Sequence, residues 1–254
     1  MKITAHVPTQ QFGYIELEDL PDNPAEIERL YNRYAEKPIR LSRREKLQAF
    51  VGGEIWYDAE RHEYTNDAGE VYLSGSTYAH QFEEPFDQAG IAAALAKKHG
   101  VAPEQIIAMW EMKAEISRGL GTALHAAMEY YGRYDGLAQK MGKTANHDNP
   151  MVMEAVKQFF ANHTEEASYE VLVVDHATKR AGRIDRLALG ALGYAIDDFK
   201  TDVNIEKRLP IYQKQLSFYA AILEAAGEKV TTLRVHHWGG SAWKTYELSK
   251  EAIK

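Results

Sequence analysis

Apolar and polar residues alternate with a period of two at residues 3–7 and 14–18, which predicts two short strands, and Asn23 is placed to cap a helix over residues 24–34. Residues 54–74 then read as strands broken at Asn66-Asp67-Ala68-Gly69, a turn signal between two β-rich runs. Helical spacing follows at 86–98. Pro103 suits the first turn of the next helix, where a missing N–H breaks no internal bond, and that helix is expected to run to residue 118. Gly119 and Gly121 predict a break, with a second helix over 121–134. A polar loop at 142–149 precedes a helix at 151–163. The period then changes, and 169–174, 181–189 and 194–201 read as strands. A helix over 209–226 and strands at 231–238 and 242–248 complete the chain. This order of elements predicts an α/β fold with a central mixed sheet flanked by helices. Residues 1–45 are expected to form a small αβ extension, and residues 46–254 the main domain.

Composition narrows the chemistry. With 254 residues, 45% of them hydrophobic, the chain can bury a sizeable core. No apolar run approaches the roughly 18 residues of a membrane span, and the start, MKITAHVPTQQFG, lacks the apolar run of a secretory signal, so a cytoplasmic location without a membrane partner is expected. There is no cysteine, which excludes disulfides, thiolate zinc and a cysteine-held iron–sulfur cluster. Any metal must sit on carboxylate or imidazole. The net charge of -7 is the wrong sign for bulk attraction to nucleic acid, so phosphate binding must come from local clusters. Residues 37–46 (KPIRLSRREK), Lys97-Lys98, Lys179-Arg180 and Lys207-Arg208 are the candidates, although such clusters are more often solvated faces than binding patches.

The segment AGRIDRLALGALGYAIDDFKTD, residues 181–202, carries most of the chemistry. It has two strand-like runs joined around Gly190-Ala191-Leu192-Gly193. With the turn centred between Ala191 and Leu192, Asp185 faces Asp198 across an antiparallel ladder. Directly opposed side chains lie about 4.5–5.5 Å apart at Cβ, and like charges there destabilise a sheet unless something compensates. Lys200 falls on the face of Asp198, while Phe199 and Ile184 point to the other side. A hard divalent cation is one compensator. Solvation is another, and Arg186 opposite Asp197 can form an ordinary cross-strand ion pair. A one-residue slip would remove the facing altogether.

Two helical pairs add to this. His125 and Glu129 are i, i+4 neighbours, so an imidazole and a carboxylate share a face, although a lone helical histidine is more often structural than a ligand. Gln215 and Tyr219 repeat at the same spacing, with Tyr212 and Leu216 near their stripe. That stripe can be a packing face, or can support a lysine or touch a ligand.

Together Gly121-Thr-Ala-Leu-His125 with Glu129, Gly182-Arg-Ile-Asp185, Asp198-Phe-Lys200 followed by Thr201, and Gln215-Leu-Ser-Phe-Tyr219 agree in order and spacing with one pattern. On these residues the chain resembles the RecB-type exonucleases of the PD-(D/E)XK superfamily. The match runs from Ser74-Gly-Ser-Thr, similar to the entry segment of phage and mitochondrial genome maintenance exonucleases, to the C-terminus. The resemblance implies a restriction-endonuclease-like core in which His125, Asp185 and Asp198, helped by the carbonyl of Phe199, bind one or two Mg²⁺ or Mn²⁺ ions. It makes Lys200 the catalytic lysine, with Gln215 and Tyr219 as its supports, and places Glu170 near the metal. It further implies single- or double-stranded DNA as substrate, products with 5′-phosphates, a role in phage or bacterial DNA recombination, repair or processing, and as partners a single-strand-binding or annealing protein or further copies of the chain. A structure-specific endonuclease on the same core, and an inactive nucleic-acid-binding or phage accessory protein, are the rival expectations. Asp198 stands where many relatives have Glu. No GxxxxGK[ST] motif occurs, so no helicase motor is expected in this chain.

Overall fold

The structure, a computed structural model, describes residues 5–9, 13–17, 44–59, 61–143 and 148–253. The helix expected at 24–34 and most of the basic stretch at 37–46 lie outside the described residues. The chain divides into two compact units, the first comprising Met1–Gln48 with Glu54–Tyr72, the second Ala49–Gly53 with Leu73–Lys254.

In the first unit, β1 (Ala5–Thr9) and β2 (Gly13–Leu17) form an antiparallel pair. Strands β3 (Arg44–Gln48), β4 (Glu54–Asp58) and β5 (Glu63–Thr65), with the first two residues of β6 (Val71–Ser74), form an antiparallel meander. The turn read at Asn66 is made by that residue. Its side chain accepts from the Glu70 N–H at 3.0 Å, and Gly69 supplies the left-handed φ of 79° that a Cβ would oppose. Alternation then puts Tyr57, Tyr64 and Tyr72 in register on one face and Lys46, Trp56 and Thr65 on the other.

The second unit holds a mixed sheet flanked by helices. Its elements are α1 (Gly75–His80), α2 (Gln88–His99), α3 (Pro103–Lys140), α4 (Pro150–Asn162), β7 (Ala167–Asp175), β8 (Arg180–Gly190), β9 (Gly193–Lys200), α5 (Ile205–Ala225), β10 (Val230–Trp238) and β11 (Trp243–Leu248). The strand order is β11-β10-β9-β8, with β7 antiparallel on the far edge of β8. Strands β9 and β10 are parallel, and α5 is their crossover. Leu187, Ile196, Leu233 and Val235 pack on the Leu216 and Leu223 side chains of α5. Phe199 and Trp238 face the other way, against Leu124 and Met128 of α3 and Val156 and Phe159 of α4. No helix among the described residues is long and apolar enough to cross a membrane.

Three expectations change. Helix α3 is continuous through Gly119 and Gly121, where a break is expected from sequence. A glycine costs a helix only about 1 kcal/mol, whereas each buried side chain of the size of Leu124 or Met128 contributes about 1.5–3 kcal/mol. Packing therefore outweighs propensity. Helix α1, unexpected from the sequence, starts where the Ser74 hydroxyl accepts from the Thr77 N–H at 3.1 Å. Helix α5 begins at Ile205, earlier than expected, and keeps Pro210 inside its N-terminal part.

Candidate metal centre

The β8–β9 ladder runs from Gly190↔Gly193 to Arg186↔Asp197, the register expected for a turn between Ala191 and Leu192. Asp185 and Asp198 come next, and there the ladder stops. The reason is that β6 and β9 share one edge of β8 at different heights: Leu73 and Ser74 pair with Arg180 and Ala181, and β9 pairs only from Arg186 onward. In the fork between them the Asp185 carboxylate accepts the Phe199 N–H at 2.9 Å, taking the place of a backbone carbonyl. On the other edge of β8, Tyr169 pairs with Arg186 and Val171 with Ile184, which leaves Glu170 in register with Asp185. Glu170 has φ +50°, a left-handed conformation that a glutamate adopts only at a cost of about 1–3 kcal/mol. Glu170 and Asp185 thus form one row across two adjacent strands, and Asp198 follows where the β8–β9 ladder ends.

Helix α3 brings His125 to this row. Its Nε2 lies 2.8 Å from the Phe199 carbonyl oxygen and its Nδ1 lies 3.4 Å from Asp185 Oδ2. The donor atoms of His125, Glu170 and Asp185 all lie within 4.8 Å of one another. Asp198 stands apart from that trio: its Oδ2 is 2.5 Å from Lys200 Nζ, and although buried it satisfies no hydrogen-bond geometry. Glu129 pairs with Arg133 at 3.1 Å instead of joining the cluster. The Phe199 ring is in the core, and its backbone N–H and carbonyl face the site.

The electrostatics follow from burial and mutual contact. Burial lowers the His125 pKa, but the Asp185 charge outweighs it and holds the imidazole at about 9. Burial likewise opposes the Asp185 charge, and His125 outweighs it, keeping that carboxyl below its usual range. Burial pushes Asp198 above the usual range, Lys200 opposing and Asp185 adding, while burial and the Asp185 charge raise Glu170 to about 7. Burial works against the Lys200 ammonium, but Asp198 more than compensates and raises its pKa. The site therefore gathers three acids, Glu170, Asp185 and Asp198, among three cations, His125, Lys200 and Arg183, the last 3.8 Å from Glu170. An imidazole, two converging carboxylates and an adjacent backbone carbonyl fit a hard divalent cation.

The alternative reading of the hairpin is also realised, on the opposite face. Arg186 and Asp197 are both 0% exposed and form a buried ion pair, joined by Arg234 at 2.6 Å and by Glu165. Residues one apart on the same two strands thus belong to a buried ion-pair network on one side and to the acidic cluster on the other.

A cleft of about 460 Å³ opens beside His125 and Lys200, and Arg118, Arg208 and Gln215 line it further out. Of the two expected supports, Gln215 reaches the cleft. Tyr219 does not: it is only 5% exposed, and its ring occupies the space that a Cβ on Gly75 or Gly182 would need, each at 2.4 Å. Its hydroxyl accepts from Gln215 Nε2 at 3.2 Å, so it holds Gln215 from within the core. Arg118 was not legible as a site residue, because the expected break in α3 hid its place two turns before His125 on one helix.

No family model matches the chain, and no curated protein sequence is similar to it. Among solved structures the chain is similar to one described as "Crystal structure of SSO0001", at 14% identity over 68% of this chain and 73% of that one, with a TM-score of 0.30. At that distance the likeness bears on no residue of the site.

Proposed function

We propose that this chain is a divalent-metal-dependent DNA exonuclease of the RecB-type PD-(D/E)XK class, with a restriction-endonuclease-like core formed by the second unit. One observation carries the reading: His125, Glu170 and Asp185 converge within 4.8 Å, with the Asp198–Lys200 pair alongside, and His125 and Lys200 also line a cleft shared with Arg118 and Arg208. Cations gathered there, in a chain of net charge -7, suit a polyanionic substrate.

A phosphodiester resists hydrolysis because its charge repels an incoming hydroxide. Mg²⁺ or Mn²⁺ held by His125, Glu170 and Asp185, with Asp198 and the Phe199 carbonyl at hand, supplies positive charge and a more acidic water. Lys200 is placed to donate to a phosphate oxygen and offset the charge that builds up on phosphorus. With its pKa raised, it acts as a fixed cation rather than a free base. The Asp185 carboxylate accepts the Phe199 N–H while His125 meets the carbonyl of the same residue, so the oxygens are organised before substrate arrives. Gln215, held by Tyr219, presents an amide to the cleft.

The test is digestion of end-labelled single- and double-stranded DNA with Mn²⁺. Wild-type protein should shorten DNA from an end and stop when the metal is chelated. Lys200→Ala and Asp185→Ala should each lower the rate by at least about a hundredfold with the far-UV spectrum unchanged. Undiminished degradation by both variants would remove the proposal, and cutting of closed circular DNA would move it to an endonuclease.

A further inference from the structure

Tyr212 lies on α5 one turn after Arg208, and its ring is buried at 4% exposure. Lys200 Nζ stands over that ring, 4.9 Å from its centroid, and Arg208 Cζ stands 5.5 Å from the same centroid. The phenol donates to Asp202 Oδ2, while Asp202 Oδ1 accepts from Arg208 Nη1 at 3.3 Å. Arg208 Nη2 is held in turn by Glu83 at 2.6 Å. One ring therefore touches both cations, and one carboxylate ties that ring to one of them.

This arrangement solves a physical problem. A lysine ammonium sits on a flexible four-carbon stem, and ordering that stem costs rotamer entropy. A ring face attracts the ammonium without occupying any of its N–H donors. Those donors stay available for Asp198 and for an oxygen of a ligand. A carboxylate in the same place would hold the ammonium as well, but would compete with a phosphate for its protons.

We propose that Tyr212 is a positioning residue whose ring holds the Lys200 ammonium and the Arg208 guanidinium at one wall of the cleft, ready for a single phosphate-bearing ligand. The effect on turnover rests on the nuclease reading above. The placement of the ammonium does not.

The experiment has two arms on the full chain, using Tyr212→Phe and Tyr212→Leu. In ¹³C-lysine-labelled protein, the Lys200 ε-methylene protons, assigned by their loss in Lys200→Arg, should lie upfield of those of the exposed lysines in wild type and in Tyr212→Phe. They should move to the exposed-lysine position in Tyr212→Leu. An unshifted Lys200 methylene in wild type or Tyr212→Phe overturns the proposal, even if Tyr212→Leu fails to fold. In the second arm, on DNA with Mn²⁺, Tyr212→Leu should lower kcat about tenfold with KM within twofold, and Tyr212→Phe should restore kcat. A change confined to KM makes the ring a substrate contact and overturns the positioning role. An inactive wild type removes the nuclease reading, and the spectral arm still decides whether the ring places the lysine.

Discussion

At the scale of single residues, Glu170 carries a strained backbone in the middle of an otherwise regular strand. Its φ of +50° and its pKa of about 7 both say that the position is held against local preference. Glu170→Gly should relieve the backbone and remove a buried acid, raising metal-free stability by about 1 kcal/mol in urea denaturation while weakening Mn²⁺ binding at least tenfold. A variant that is less stable and binds Mn²⁺ as before would show that the carboxylate serves packing only. The β8–β9 register as far as Arg186↔Asp197 was legible in the sequence because a two-residue turn sets the register of a hairpin and nothing distant enters. The entry of Glu170 into the row was not legible by that route. It depends on the pairing of β7 with β8, whose loop leaves the register open, and only the family resemblance pointed to it.

At the scale of elements, the glycines of α3 and β8 show why identical residues read differently. A Cβ on Gly119 meets nothing within 4 Å, so Gly119→Ala should stabilise the helix by about 0.5–1 kcal/mol. A Cβ on Gly182 would stand 2.4 Å from the Tyr219 ring, so Gly182→Ala should destabilise by several kcal/mol, more than about 2, and displace Gln215 from the cleft. Thermal denaturation of the two variants checks the contrast, and equal effects would contradict it. Glycine is a helix breaker only where nothing pays for keeping the helix, and the payment at α3 comes from Leu124 and Met128 burying against α4. That burial is tertiary, which is why the break at Gly119 was expected from sequence and Arg118 was overlooked. The Tyr212 platform had a sequence signal, the i, i+4 spacing from Arg208, but Lys200 enters it only through the turn from β9 into α5.

Across the chain, charge is arranged so that one buried network stabilises and another set is left to act. Burial pushes Asp197 up, but His236 and Arg234 outweigh it and hold it at about 2. Because that lies below the roughly 3.9 of an unfolded aspartate, the stabilisation of about 3 kcal/mol is complete above about pH 5 and is lost as pH falls through 2. Unfolding free energy should drop over that window. Asp197→Asn should reduce the drop and cost about 3 kcal/mol at pH 7, since the buried Arg186 is left with only the partly exposed Glu165 as its counter-charge. A flat acid profile in wild type would contradict this. The net charge of -7 makes a second prediction. If only Lys200, Arg118 and Arg208 meet phosphate, the logarithm of DNA affinity without added metal should fall with the logarithm of salt at a slope of about -2 to -3. A slope near -8 would require a far larger basic surface. At this scale the sequence was legible in composition and in the order of elements, while the parallel β9–β10 pair and the fork at β8 were not, since both join strands that no short turn connects.

The central claim, that His125, Glu170 and Asp185 form a divalent-ion site, is tested most directly by anomalous diffraction at the manganese edge from crystals soaked in Mn²⁺. The account predicts a peak within ligand distance of the His125 imidazole and the Glu170 and Asp185 carboxylates, absent in Asp185→Ala. A well-ordered site with no peak there at millimolar Mn²⁺, and with His125 still between Asp185 and the Phe199 carbonyl, would contradict it.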